Sequence, residues 1–170
     1  IGTALNTQVK NALGDYYVDV LPVMHEMQDK GYCVYYNTDH HWTSTGAFYA
    51  YEKAVEAFGD NAFDFESFDF ETVYDDFHGT ACRNGNYFFL NGEEIQVVKY
   101  DGYDKLKVEL GRNLEYMEEK DGMYDLKALN GADPYNVFLH GKTRYLRITD
   151  TKDTEKETLL VVKDSFAHSL

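Results

Sequence analysis

The spacing of apolar residues changes character twice along this chain, near residue 63 and again near residue 158, and any fold must accommodate both changes. Up to Gly59, short β-favouring runs alternate with stretches of helical spacing. Residues 16–20 form the first such run. Leu21 to Gly31 follow, with Pro22 suited to a first helical turn and Gly31 to a C′ position. Residues 33–37, CVYYN, make a second run of strand length. Strand, helix and strand in this order predict a βαβ unit with parallel strands. Thr43 then predicts an N-cap and Gly59 a stop, with Ala47, Phe48, Tyr51, Ala54, Val55 and Phe58 on one buried stripe between them.

From about 63 to 150, alternation and Gly-containing turns replace helical spacing. NYFFL, Asn91-Gly92 and EEIQVVKY predict a hairpin with a type I′ turn, and KLKVEL, NLEYMEE and TRYLRIT predict further strands. The apolar run TLLVV at 158–162 then restores the earlier grammar. It leads through Lys163-Asp164-Ser165 into a helix start. With 170 residues the chain suits a single domain, 1–170. The predicted fold class is α/β, a parallel-sheet core carrying a β-rich insertion over 63–150.

The formal net charge of −14 excludes nucleic acid as a partner, because phosphate-backbone binding depends on Lys and Arg replacing condensed counterions. Fifteen tyrosines and eleven phenylalanines fit half-buried strand packing better than exposed sugar platforms. Cys33 and Cys82 are too few for a disulfide framework. The chain begins at Ile1 without a signal peptide or a membrane-spanning run, and ends at Leu170 inside a helix-start pattern. The expectation is a piece of a longer protein.

Two short stretches carry candidate chemistry. NTDHHWTSTG, 37–46, falls between a predicted strand end and a predicted helix start, where open α/β sheets hold ligands. KDSFAHS, 163–169, has the strand, tight turn, serine and helix order of a nucleophile elbow, although an ordinary N-cap serine gives the same pattern. In an extended loop, Asp39 and His41 point to one side and His40 to the other. Asp39 and His41 can therefore orient and activate Ser165, the arrangement a serine nucleophile needs. Asp-His-His also suits zinc or manganese, but adjacent histidines do not easily share an ion. The paired Asp-x-Asp motif of the DHH phosphoesterases is missing from residues 1–36. No metal site and no cofactor are expected. His25, His78 and His140 read as ordinary hydrogen-bonded residues, and Trp42 as core or cleft wall.

YYNTDHHWTSTGAFYAYE resembles the signature of the DHHW family of bacterial proteins, found mainly in Gram-positive species. LLVVKDSFAHS resembles that family's second block, DPYNVFLHGKT a stretch between them, and FHGTACRN an earlier loop. The family is similar to the SGNH-hydrolase-like proteins of alginate O-acetylation. That resemblance implies an SGNH/flavodoxin-like core and a serine acyl-transfer site with Ser165 as nucleophile, His41 as base and Asp39 as its orienter. Phe166 and Gly141 are the implied oxyanion donors, with Asp164 and His168 accessory and Trp42 and His40 facing substrate. Lys163 stands where SGNH-type blocks carry glycine, and His140-Gly141-Lys142 where the family has a Gly-Gly-Asn string. The implied partners are an acyl donor, a cell-envelope or extracellular polysaccharide and a membrane-bound acyltransferase. The implied setting is extracytoplasmic, with the full-length protein anchored or secreted. The implied reaction is O-acetyl transfer or ester hydrolysis. The alternatives are a catalytically silent carbohydrate-binding or scaffold domain and a metal-dependent phosphodiesterase. The oligomeric state is not readable.

Overall fold

The computed structural model describes residues 2–87, 89–152 and 157–170. In chain order its elements are helices α1 (Gly2–Leu13), α2 (Leu21–Asp29) and α3 (Ser44–Phe58), strand β1 (Phe68–Phe77), the short helix α4 (Thr80–Gly85), and strands β2 (Glu93–Tyr100), β3 (Leu106–Gly111), β4 (Met117–Lys120) and β5 (Tyr145–Asp150). Helix α1 is one the sequence reading did not anticipate. Helices α2 and α3 match expectation. Pro22 opens α2, and Val23, Met24 and Met27 are its buried side. Thr43 caps α3, its hydroxyl oxygen accepting from the Gly46 N–H at 3.1 Å, and Gly59 ends it in the left-handed region at φ +86°. The buried part of α3 is confined to its first turns, at Ala47, Phe48, Tyr49 and Ala50, while Phe58 is exposed.

The parallel-sheet, SGNH/flavodoxin-like core does not exist among the described residues. β1 and β2 form a two-stranded antiparallel sheet, and β4, β3 and β5 a three-stranded antiparallel sheet in that order. Residues 16–20 are not a strand. Residues 33–37 make only an isolated antiparallel bridge between Tyr35 and Trp42. Residues 158–162 belong to no strand and pair with no strand among the described residues, with Leu160 86% and Val162 95% exposed. The physical reason is that β preference measures fit to a sheet surface, and it yields a strand only where a neighbour accepts the ladder. Here Val34 packs with α2 and α3, while Tyr36 packs with β1, β2 and the 135–138 segment, so the run bridges two cores instead of joining a sheet.

The expected hairpin is replaced in a similar way. β2 pairs with β1, with Phe68 opposite Tyr100 and Phe77 opposite Glu93, and α4 occupies the connection. Within NYFFL, Phe88 lies outside the described residues. Asn91-Gly92 closes no two-residue turn; a Cβ on Gly92 would sit 2.5 Å from the Asp76 Cα. KLKVEL and TRYLRIT are present as β3 and β5, while of NLEYMEE only the last three residues join a strand, β4, and the five strands of the described residues fall within Phe68–Asp150. No helix among the described residues is long and apolar enough to cross a membrane.

Candidate functional site

The loop at 37–42 is built from below by β1 and β2. Glu93, the first residue of β2, accepts the backbone N–H of Asn37 at 2.8 Å and its side-chain amide at 3.1 Å on Oε1. Its Oε2 accepts the Thr38 N–H at 2.7 Å and the Thr38 hydroxyl at 2.5 Å. From above, the Thr38 carbonyl receives the Cys82 N–H of α4 at 3.0 Å. Gly79 lies so close that a Cβ there would meet Asp39 Cβ at 2.2 Å. The loop is thus fixed by backbone and carboxylate contacts independent of the Asp39 and His41 side chains.

Asp39 is buried and all four of its lone-pair positions are filled. Oδ1 accepts the His41 backbone N–H at 3.1 Å and ring Nδ1–H at 2.5 Å. Oδ2 accepts the Thr80 N–H at 2.6 Å and the Thr80 hydroxyl at 2.8 Å. Burial alone would raise this carboxyl, but the hydrogen bonds from His41 and Thr80 outweigh it and hold the group well below the usual carboxylate range. An ionised Asp39 can only accept, which places the His41 proton on Nδ1 and leaves the Nε2 lone pair for the Ser165 hydroxyl, 2.8 Å away. The Asp39–His41–Ser165 relay is therefore continuous, and it joins the two halves of the sequence signal.

Aromatic packing fixes the imidazole. The His41 ring stacks on Tyr135 with centroids 4.1 Å apart and planes at 12°, and the Phe166 ring tilts against it at 5.1 Å. Trp42 Nε1–H donates to the Phe166 carbonyl at 2.9 Å and to the Ser169 hydroxyl at 3.1 Å, tying the serine segment to the DHHW loop. Trp42 is thus a clamp on that segment. His40 does not face away from His41 as an extended loop would require. The rings lie 3.9 Å apart, the loop being bent, and the half-exposed His40 donates from Nδ1 to the Thr80 hydroxyl at 2.8 Å.

The two candidate oxyanion donors are engaged elsewhere. The Phe166 N–H donates to Asp164 Oδ1 at 3.0 Å, and the Gly141 N–H to the Phe138 carbonyl at 2.9 Å. Gly141 ends a run of three left-handed residues with Leu139 and His140, a conformation costly for the two that carry a Cβ. His140 donates from Nε2 to the Gly122 carbonyl at 2.9 Å, and His78 donates to the Asp76 and Leu90 carbonyls, in line with the ordinary reading of both. Asp39, His40 and His41 offer ligand atoms within 4.8 Å of one another. The Asp39 lone pairs are already taken and His41 Nε2 faces Ser165, so this donor set fits a hydrogen-bond relay better than an ion.

His168, three residues after Ser165, is half-buried, and burial, reinforced by the charge of Lys163 and opposed by that of Asp164, pushes it down to about 4. Between about 6.5 and 4 the unfolded chain binds a proton that the folded chain refuses, so stability falls as pH drops through that window. We expect melting temperature to decrease by a few °C from pH 6.5 to pH 4 on this account. His168→Gln should flatten that part of the profile; an unchanged slope would remove His168 as its origin.

Glu93, Thr80 and Tyr135 were not singled out by sequence reasoning, although Thr80 and Tyr135 lie in FHGTACRN and DPYNVFLHGKT, the two stretches flagged by resemblance. Glu93 carried no motif signal at all.

The family model described as DHHW protein matches residues 4–170. The chain belongs to the DHHW protein family. A crystal structure of a DHHW family protein from Eubacterium siraeum DSM 15702 is similar in fold, with a TM-score of 0.64 and 18% sequence identity. The match covers 82% of this chain and 46% of that one, so the chain spans about half the length of that relative. No curated protein matches this DHHW chain. Neither match supports the expected likeness to SGNH hydrolases or to the proteins of alginate acetylation.

Proposed function

We propose that this DHHW domain is a serine acyl-transfer protein acting on an O-acylated polysaccharide of the cell envelope or extracellular matrix. The observation that carries this reading is the continuous relay from Asp39 through His41 to Ser165. The Ser165 oxygen attacks the acyl carbonyl as its proton passes to His41 Nε2, forming the new C–O bond. The same proton then leaves with the departing sugar alcohol as the old C–O bond breaks, and the acyl group stays on Ser165. In the second half His41 takes a proton from an incoming hydroxyl, which attacks the acyl-enzyme and releases Ser165. Water as that hydroxyl makes the protein an esterase; a sugar hydroxyl makes it an O-acyltransferase. The proposal includes an extracytoplasmic setting and a membrane-bound acyltransferase as the source of acyl groups.

In this arrangement the Phe166 N–H must exchange Asp164 for the oxyanion during attack, since both candidate donors are engaged at rest. That engagement also favours a second reading, a glycan-binding domain that keeps the shell without turnover. The two are separated by covalent chemistry. A serine-reactive phosphonate should add its mass at Ser165, and His41→Ala should slow labelling by at least about a hundredfold, the size of a lost general base. Absence of labelling at Ser165 in the intact protein would favour the silent domain.

A further inference from the structure

Away from the serine site, a cleft of about 960 Å³ runs between β3, β4 and the chain leading into β5. Arg112, Lys142 and Arg144 line it together with Tyr116, a residue 75% exposed. On a chain of net charge −14, three cations in one cleft are out of character. Their lack of partners is more telling. Among the described residues every other Lys or Arg is held in an ion pair, except Lys127, Lys152 and Lys163. Among the described residues Arg112, Lys142 and Arg144 have no carboxylate within ion-pair distance. The cleft also contains Glu115 and Glu118, the second of which is neutralised by Lys120 at 2.6 Å. A second cavity, of about 460 Å³, has the opposite character. It is lined by Glu66, Asp69 and Asp101, and its one cation, Lys99, is already paired with Glu71.

We propose that the cleft of Arg112, Lys142 and Arg144 is a binding site for an anionic oligosaccharide, its carboxylate or phosphate groups paired to these three side chains. Guanidinium forks match planar carboxylate and phosphate oxygens in bidentate fashion, and the lysine adds a mobile point charge. The exposed Tyr116 ring offers an apolar face to a sugar ring, and the glutamates can accept sugar hydroxyls. The acidic remainder of the surface repels a polyanion at long range, so capture depends on these local pairs and weakens with salt. This deepens the proposed function and rests on its glycan reading.

The test is calorimetric titration of the intact protein with three probes, namely an oligogalacturonate, a phosphorylated mannan oligosaccharide and a neutral dextran oligosaccharide. Binding of either acidic probe, weakened by raised salt and absent with dextran, is the expected result, and the probe preferred names the anion. Arg112→Gln and Arg144→Gln should each weaken binding about three- to tenfold, as loss of one charged pair does. The triple change with Lys142→Gln should abolish it, with the melting temperature unchanged. If the triple variant fails to fold, the single variants decide. Equal binding of dextran, no binding of either acidic probe, or unaltered binding in the single variants would overturn the proposal. Binding is read without turnover, so an inert Ser165 leaves the result standing. Conversely, phosphonate labelling of Ser165 survives a failure here.

Discussion

Replacing Ser165 by alanine is expected to lower turnover of a simple acyl ester by about 10⁴- to 10⁶-fold, the range for loss of an activated nucleophile. The argument is geometric. The Ser165 hydroxyl is 2.8 Å from His41 Nε2, and the tautomer that makes this nitrogen a base is enforced by an ionised Asp39 whose four lone pairs are filled. Members of such a relay act as a unit, so His41→Ala should cost a similar factor and the double variant little more. Asp39→Asn tests the tautomer separately. The amide can present an N–H to His41 Nδ1, turning Nε2 into a donor, and a loss of about 10⁴-fold in kcat with KM little changed is expected. Steady-state kinetics on an activated acetyl ester measure all four. Additive losses in the double variant, or Ser165→Ala activity equal to the unaltered protein, would remove the relay from the mechanism.

The parts of the site that the sequence revealed are those where local chemistry is self-announcing. Thr43 as cap, Gly59 as stop and Pro22 as first-turn residue follow from backbone stereochemistry, and the structure has all three in those roles. Asp39 and His41 are joined by a hydrogen bond within one loop, so their spacing alone pointed to their pairing. His40 went wrong because the loop is bent, and an i, i+2 rule holds only for extended backbone. The parallel sheet went wrong for a related reason. CVYYN and TLLVV have the composition of buried strands, but composition does not say whether a partner strand exists, and neither run has one among the described residues. NYFFL was read as the arm of a hairpin with its sequence neighbour, whereas β2 found its partner across α4 in β1. The DHHW motif itself drew attention to the right loop while the fold around it was misread. Of the side chains that support the loop from a distance, Glu93 above all has no motif, because half of its partners are backbone N–H groups, which carry no sequence signature, and the residues that supply all four lie more than fifty positions away.

Glu93 should accordingly prove the most sensitive position outside the relay. Its carboxylate accepts four hydrogen bonds from two consecutive residues, Asn37 and Thr38, that immediately precede Asp39. Glu93→Ala removes a charged acceptor from two backbone N–H groups in a loop already closed above by Cys82 and Gly79, leaving little room for the loop to relax. Each bond to a charged group contributes about 1.5–3 kcal/mol, and because the four are not independent a total cost of about 3 kcal/mol is expected. For a chain of this size that is a fall of about 6–12 °C in melting temperature. Glu93→Gln keeps one accepting oxygen and should lose about half as much. The catalytic effect follows from position. If the Asn37–Thr38 step moves, Asp39 and His41 move with it, and a misplacement of about 1 Å costs about a hundredfold in rate. Because Glu93 touches neither Ser165 nor the acyl group, that loss should fall on kcat and leave KM unchanged, and Glu93→Asp should recover less than Glu93→Gln since its shorter arm reaches neither N–H well. Thermal melts and kinetics on the same three variants separate the outcomes: a stability loss with full kcat would make Glu93 a purely structural clamp, and full stability with full kcat would deny it either role.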